Sequence, residues 1–245
     1  MIKNINALWI DRLVAFRTQP AAEASVRALL SYKDKRRFFL LRRYGQTVSL
    51  RSYEEYGTNT DYLLTEARNA KAYWRAFASL LPVWVTPFHR RPRNSDVVNK
   101  LLDIGYHHLA GVVAQKLLAH DIYPGLGLLH RAARTDGEPL VYDLMELFRA
   151  DVVEKVTLTY LRQKKHPVTT VEGRCIGHFV HNVNEQLLKR YYLKAFKQCH
   201  TFDYCIELQI EKFMSAVNHK AVFEPMSVPV RHDGRCPQTK QKPPP

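Results

Sequence analysis

Along most of this chain the hydrophobic side chains recur at three- and four-residue intervals, which predicts helices rather than strands. From about Glu23 to Arg43 the text ASVRALLSYKDKRRFFLLRR reads as one helix that Gly45 ends. A polar connector, VSLRSYEEYGTNTD, leads to a second helix from Asp61 to Leu81. Its apolar stripe is Leu63, Ala67, Ala70, Trp74, Phe77 and Leu81, and Glu66 lies about 60° from Leu63 on the same wheel. That places a carboxylate within or beside the face expected to be buried. The Pro-punctuated linker PVWVTPFHRRPRNSD follows, and Asn94 or Ser95 is suited to cap the next helix, roughly Asp96 to Ala119. In it Val98, Leu101, Leu102, Gly105, Leu109, Val112, Val113 and Lys116 keep helical period.

After Pro124, the stretch GLGLLHRAARTDGEPLVYDLMELFR from Gly125 to Arg149 delivers His130, a polar turn, and a helix carrying Asp143 and Glu146. Asp143, Glu146, Arg149, Ala150, Thr157 and Glu154 share one stripe, and almost every other position is apolar. A helix apolar nearly all round is a buried helix, expected here to run on to Lys164 and Lys165, where Pro167 stops it. VTTVEGRC reads as a hairpin or loop, and two amphipathic helices are expected over about 182–197 and 203–218. Residues 1–22 have mixed periodicity and stay unassigned; 229–245, ending KQKPPP, read as a disordered Pro-rich tail. The fold class expected is mainly α, with one helical domain over 23–228.

Buried carboxylates at such spacing repel each other and tend to take up a proton unless a cation joins them. Oxygen ligands with an imidazole suit magnesium or manganese, ions that activate a water or hydroxyl for attack on a phosphodiester. The charge balance agrees with such a substrate. The chain carries 37 Lys and Arg against 23 Asp and Glu, a net +14, and its sequence pI is about 9.7. That excess favours a polyanion, with nucleic acid the foremost. No apolar run is long enough to span a membrane and no secretory signal is legible, so a cytoplasmic location is expected. The run Lys33, Lys35, Arg36, Arg37, Arg42 and Arg43 reads equally as a solvated helix face or as a surface that tracks phosphates. Cys175, Cys199, Cys205 and Cys236 form no CxxC pair; they read as reduced thiols on helices, with a zinc site among Cys175, His178, His181, Cys199, His200 and Cys205 as the lesser alternative.

Four ordered blocks carry a family resemblance: TEARNAKAYWRAF at 65–77, RRPRNSDVVNKLLDIGYHHL at 90–109, YPGLGLLH at 123–130 and PLVYDLMELFRADVV at 139–153. Together they closely resemble the CRISPR-associated spacer-integration endonuclease, the first-numbered Cas protein, over about residues 25–228. The resemblance implies a metal-dependent DNA endonuclease and integrase of antiviral defence that joins 3′-hydroxyl ends of short foreign DNA to a CRISPR repeat. It implies magnesium or manganese held by Glu66, His130 and Glu146, with Asp143 as a neighbouring catalytic acid that orients His130 or a metal-bound water. Arg68, Arg90, Arg91, Arg93 and Arg149 become candidate contacts to DNA phosphates.

The implied partners are double-stranded DNA, a second copy of the chain in a homodimer or higher oligomer, and the second-numbered Cas protein. Members of the family usually open with a β-rich domain of about eighty residues that serves the latter two contacts, whereas only about twenty unassigned residues stand there in this chain. Three other readings fit the same residues: a metal-dependent nuclease on branched or single-stranded DNA in repair, a silent basic helical module that binds DNA, and the integrase of a related mobile element.

Overall fold

The computed structural model describes residues 7–53, 59–130, 137–164, 166–193 and 196–228. Helices dominate them: α1 (Ala7–Arg17), α2 (Pro20–Arg43), α3 (Asn59–Ala78), α4 (Val97–Ala119), α5 (Pro139–Met145), α6 (Lys155–Arg162), α7 (Arg174–Leu188) and α8 (Phe202–His219). Strands β1 (Arg190–Leu193) and β2 (Gln198–Thr201) pair antiparallel, with Tyr191 opposite His200. The predicted tail 229–245 lies outside the described residues.

Most of the predicted helices form, and the departures have local causes. The unassigned start contains α1, which buries Trp9, Leu13 and Phe16 against α2 and α8, with Trp9 edge-on to Phe213. As a proline disfavours a continuous helix through it, the chain breaks between α1 and α2, and Pro20 opens α2 at the first-turn position where its missing N–H costs nothing. Asp96, rather than Asn94 or Ser95, caps α4 by accepting from the Asn99 N–H at 3.0 Å. The helix expected over 182–197 stops at Leu188, and the chain turns into the β1–β2 hairpin. Its text, RYYL, has the exposed-buried alternation of a strand. The long helix expected through 139–165 is interrupted after Met145 and passes through a π-helical segment, Arg149–Glu154, before α6 begins.

That π-helical segment lies at the centre, in contact with α2, α4, α6 and α7. Gly105 lets α4 approach it closely. A Cβ there would stand 2.4 Å from the Val153 Cγ1. On α3 the buried face is rotated from the predicted stripe: Leu63 is exposed, while Tyr62, Thr65, Asn69, Tyr73 and Phe77 are buried.

The α2 charge run divides: Lys35, Arg42 and Arg43 are exposed, whereas its other three cations face the interior. Lys33, Asp34, Arg36 and Arg37 are buried. Arg36 pairs with Asp151 at 2.6 Å, and Arg37 with Glu154 at 3.0 Å. Glu154, fully buried, also accepts from the hydroxyls of Tyr73 at 2.6 Å and Tyr106 at 2.8 Å. The Arg37 guanidinium lies 4.7 Å from the centre of the Tyr73 ring. Burial opposes the charge on Arg37, but Glu154 and Glu146 outweigh it and hold its pKa well above the usual value. Removing one partner from such a buried pair strands the other charge, at a cost of about 3–5 kcal/mol. Glu154→Ala, which also orphans two tyrosine hydroxyls, is therefore expected to lower unfolding stability by about that amount, read from urea denaturation against wild type.

Candidate metal and phosphodiester site

The site forms where the loop before α5 folds back over α5 itself. Asp143, on α5, accepts hydrogen bonds from the backbone N–H groups of Leu128 at 2.5 Å, Leu129 at 3.1 Å and His130 at 3.1 Å. Its Oδ1 also meets the His130 Nδ1 at 2.6 Å. Gly127 permits this fold-back. A Cβ on it would lie 2.6 Å from the Asp143 Oδ2 and 2.7 Å from the His130 carbonyl. The carboxylate is only 2% exposed while the imidazole is 44% exposed, so one buried acid fixes a loop and aims a ring outward. The hydrogen bond to Asp143 raises the His130 pKa, and burial only partly offsets it.

Glu146 follows one turn later and is buried. Its Oε1 meets the Arg149 Nη1 at 2.5 Å, and its Oε2 has no hydrogen-bond partner among the described residues. Burial pushes this carboxyl upward, but Arg149, Lys33, Arg37 and His130 together overrule it and bring it down to about 2. Glu66, from α3, is half-buried and takes the ammonium of Lys33 at 2.6 Å. Lys33 thus neutralises Glu66 directly and lies within the field of Glu146.

The predicted residues are therefore gathered unequally. His130, Asp143 and Glu146 form one electrostatic unit, and Glu66 is connected to it through Lys33. Glu66, His130 and Glu146 do not all bring their ligand atoms within 4.8 Å of one another. Among the described residues His120, Glu207 and Glu211 do so. No three of the candidate zinc ligands in the 175–205 region converge in that way, again among the described residues. Cys175 and Cys205 are free thiols, whereas Cys199 lies on β2 and is disulfide-bonded, which corrects the expectation of reduced thiols on helices.

The donor set still fits a hard divalent cation. His130 has its Nδ1 engaged and its Nε2 turned away from that bond, the arrangement that orients a metal-binding histidine. Glu146 offers a buried oxygen without a hydrogen-bond partner among the described residues, and the cations around it keep it ionised.

Of the candidate DNA contacts, Arg68, Arg91 and Arg93 are on the surface. Arg90 is held inside by Asp103 at 2.6 Å and Asn99 at 2.7 Å, and Arg149 by Glu146. Both are thus engaged within the fold, unlike the other three. Lys33 and Arg37 are the site residues that the sequence reading missed. The signal was available, because Leu30, Lys33, Arg37 and Leu41 share one helical stripe with Val26.

A family model described as CRISPR associated protein Cas1 matches residues 21–196. The chain belongs to the Cas1 family. A CRISPR-associated endonuclease Cas1 of Saccharolobus solfataricus is 28% identical over 179 residues, 67% of this chain and 50% of that protein. One of Thermus thermophilus is 37% identical over 103 residues, 41% of this chain and 30% of that protein. The chain thus spans half or less of the length of these curated relatives. Among solved structures, a casposase bound to integration product aligns with a TM-score of 0.74 at 17% identity, covering 94% of this chain and 71% of that one. A CAS1 protein from Thermotoga maritima aligns with a TM-score of 0.75 at 18% identity, covering 87% and 72%. At these identities they establish a shared mainly α fold.

The Asp143 arrangement predicts a local signature. In Asp143→Ala the amides of Leu128, Leu129 and His130 lose their acceptor, so their hydrogen exchange is expected to accelerate at least tenfold, while amides in α2 and α4 keep their protection. Equal exchange in the two proteins would refute the anchoring role.

Proposed function

We propose that this chain carries the DNA endonuclease and integrase chemistry of CRISPR adaptation, with a divalent cation, magnesium or manganese, held by Glu66, His130 and Glu146. The observation that carries this reading is the Asp143–His130–Glu146 unit, an outward-aimed imidazole beside a buried ionised carboxylate with one free oxygen, on a Cas1-family fold. When bound, such an ion polarises a phosphodiester and stabilises the charge that develops on its oxygens. Family membership at 21–196 and the relatives named as endonucleases support the activity; the shared fold with a casposase bound to its integration product supports strand transfer.

The reaction proposed is a transesterification. The 3′-hydroxyl of a short DNA attacks a phosphorus of the repeat, a new P–O bond forms, and the bond to the leaving 3′-oxygen breaks. No protein nucleophile is required. Asp143 accepts a hydrogen bond from the His130 Nδ1–H and so keeps the Nε2 lone pair directed at the site. Arg149 and Arg37 keep Glu146 ionised. Lys33 holds one oxygen of Glu66 at 2.6 Å, and Glu66 would share with His130 and Glu146 the holding of the cation. Arg68, Arg91 and Arg93 supply phosphate contacts on the approaching duplex. A second copy of the chain and the second-numbered Cas protein are the macromolecular partners proposed.

The test is a strand-transfer assay with labelled short duplex, supercoiled plasmid bearing a repeat, and manganese with or without chelator. Label joined to plasmid only with metal, and reduced at least a hundredfold in Glu66→Ala and His130→Ala, is the expected result. Shortened strands without joined product would instead favour the nuclease reading, and binding without covalent change the silent module.

The pH profile provides a separate check. A protonated imidazole cannot ligate, so activity is expected to fall as pH drops through the raised His130 pKa and to recover above it. In Asp143→Asn the acidic limb of that profile is expected to move to lower pH, because the group that raises the pKa is gone. An unmoved limb would remove Asp143 from this role.

A further inference from the structure

Helix α4 ends against α8, and a second set of ligand-type side chains meets there. His120 follows the last residue of α4 and caps it, its N–H bonded to the carbonyls of Lys116 at 3.2 Å and Leu117 at 3.1 Å. On α8, Asp203, Glu207 and Glu211 recur every fourth residue and so share one face. Like charges at that spacing repel one another, and these three stand together on a chain whose net charge is +14. An acidic face of this kind calls for a cation.

Lys116 supplies part of it. Its ammonium donates to the Asp203 Oδ2 at 3.0 Å and to the Glu207 Oε2 at 3.2 Å. The other oxygen of Glu207 meets the His120 Nε2. Burial pushes the Glu207 carboxyl upward, but His120 and Lys116 outweigh it and hold the group below its usual range. Glu211 is exposed, with no hydrogen bond or ion pair among the described residues. Three carboxylates against one ammonium leave two negative charges, the number that a divalent cation neutralises.

The donor atoms also converge. An imidazole nitrogen of His120 and one oxygen from each of Glu207 and Glu211 lie within 4.8 Å of one another. Ligands on one tetrahedral zinc stand roughly 3.3 Å apart, a closure within reach of the exposed Glu211 side chain. Lys116 holds one oxygen of Glu207 while the other is presented toward His120, which is how a ligating carboxylate is oriented from behind. One nitrogen with two carboxylate oxygens, and a fourth position left to water, is a donor set suited to zinc.

We propose that His120, Glu207 and Glu211 form a zinc site that clamps the C-terminal end of α4 to α8. The segment that leads to His130 departs from α4 at His120, so the clamp fixes the origin of the loop that carries the candidate catalytic imidazole. The site shares no residue with Glu66, His130 and Glu146, and its test reads metal binding rather than activity.

The full chain, untagged and carrying His130→Ala so that the catalytic set lacks its imidazole, is stripped with chelator and dialysed against micromolar zinc. Bound metal is then measured by atomic emission. About one zinc per chain is expected, bound at least tenfold more weakly in Glu211→Gln and in His120→Gln. At ten times its Kd, zinc should raise the melting temperature of the His130→Ala parent by about 3–5 °C, and that of Glu211→Gln in the same background by no more than about a third as much. Glu211→Gln removes a ligand without removing a contact of the fold, so it decides the matter alone should His120→Gln fail to fold. No zinc retained by the parent, or zinc held equally by the parent and Glu211→Gln, overturns the proposal.

Discussion

A buried charge must meet an opposite charge or leave the interior, and this fold is arranged around that requirement. Helix α2 brings Lys33, Arg36 and Arg37 into the centre of the molecule, and the segments opposite answer with Glu66, Asp151 and Glu154. Each pairing joins residues distant in the chain, so the electrostatics fixes how α2, α3 and the π-helical segment stand relative to one another. Such pairs add little net stability over apolar packing, but a misplaced register would strand several charges at once. Arg149, with Lys33 and Arg37 of α2, holds Glu146 ionised although it is buried. The constraint that orders the core therefore also sets the state of the candidate metal ligand.

The second organising contact is smaller. Asp143 collects three backbone N–H groups and one imidazole N–H on a single buried carboxylate. A loop that carries a functional side chain is normally mobile; here the acid places the His130 backbone and ring together. Catalytic geometry of this kind depends on the groups behind the ligands as much as on the ligands themselves. The Lys33–Glu66 ion pair adds a resident cation, which compensates the third carboxylate.

Much of the site was legible in the chain. The helical spacing from Pro139 onward, the acids at 143 and 146 and the glycines at 125 and 127 all announced a buried polar centre reached by a tight turn. Glu66 was ambiguous by spacing, because the stripe assumed for α3 included Leu63, which the fold leaves exposed; burying Thr65 and Asn69 instead turns Glu66 toward α2. The hairpin at 190–201 was hidden for a different reason. Its strands are only four residues each, too short for alternation to outweigh the helical periodicity on both sides.

The sequence by itself determined the helices, the family resemblance and the identities of the acids and the histidine, since these depend on local periodicity and on residue type. Only the tertiary structure decided which cations are buried, which arginines are committed to the fold and which remain at the surface. It also decided that α2 supplies the counter-charges. Those outcomes depend on pairings across more than a hundred residues, such as Arg37 with Glu154. A charged residue shows no preference in the sequence for solvent or interior until its partner has been brought opposite to it.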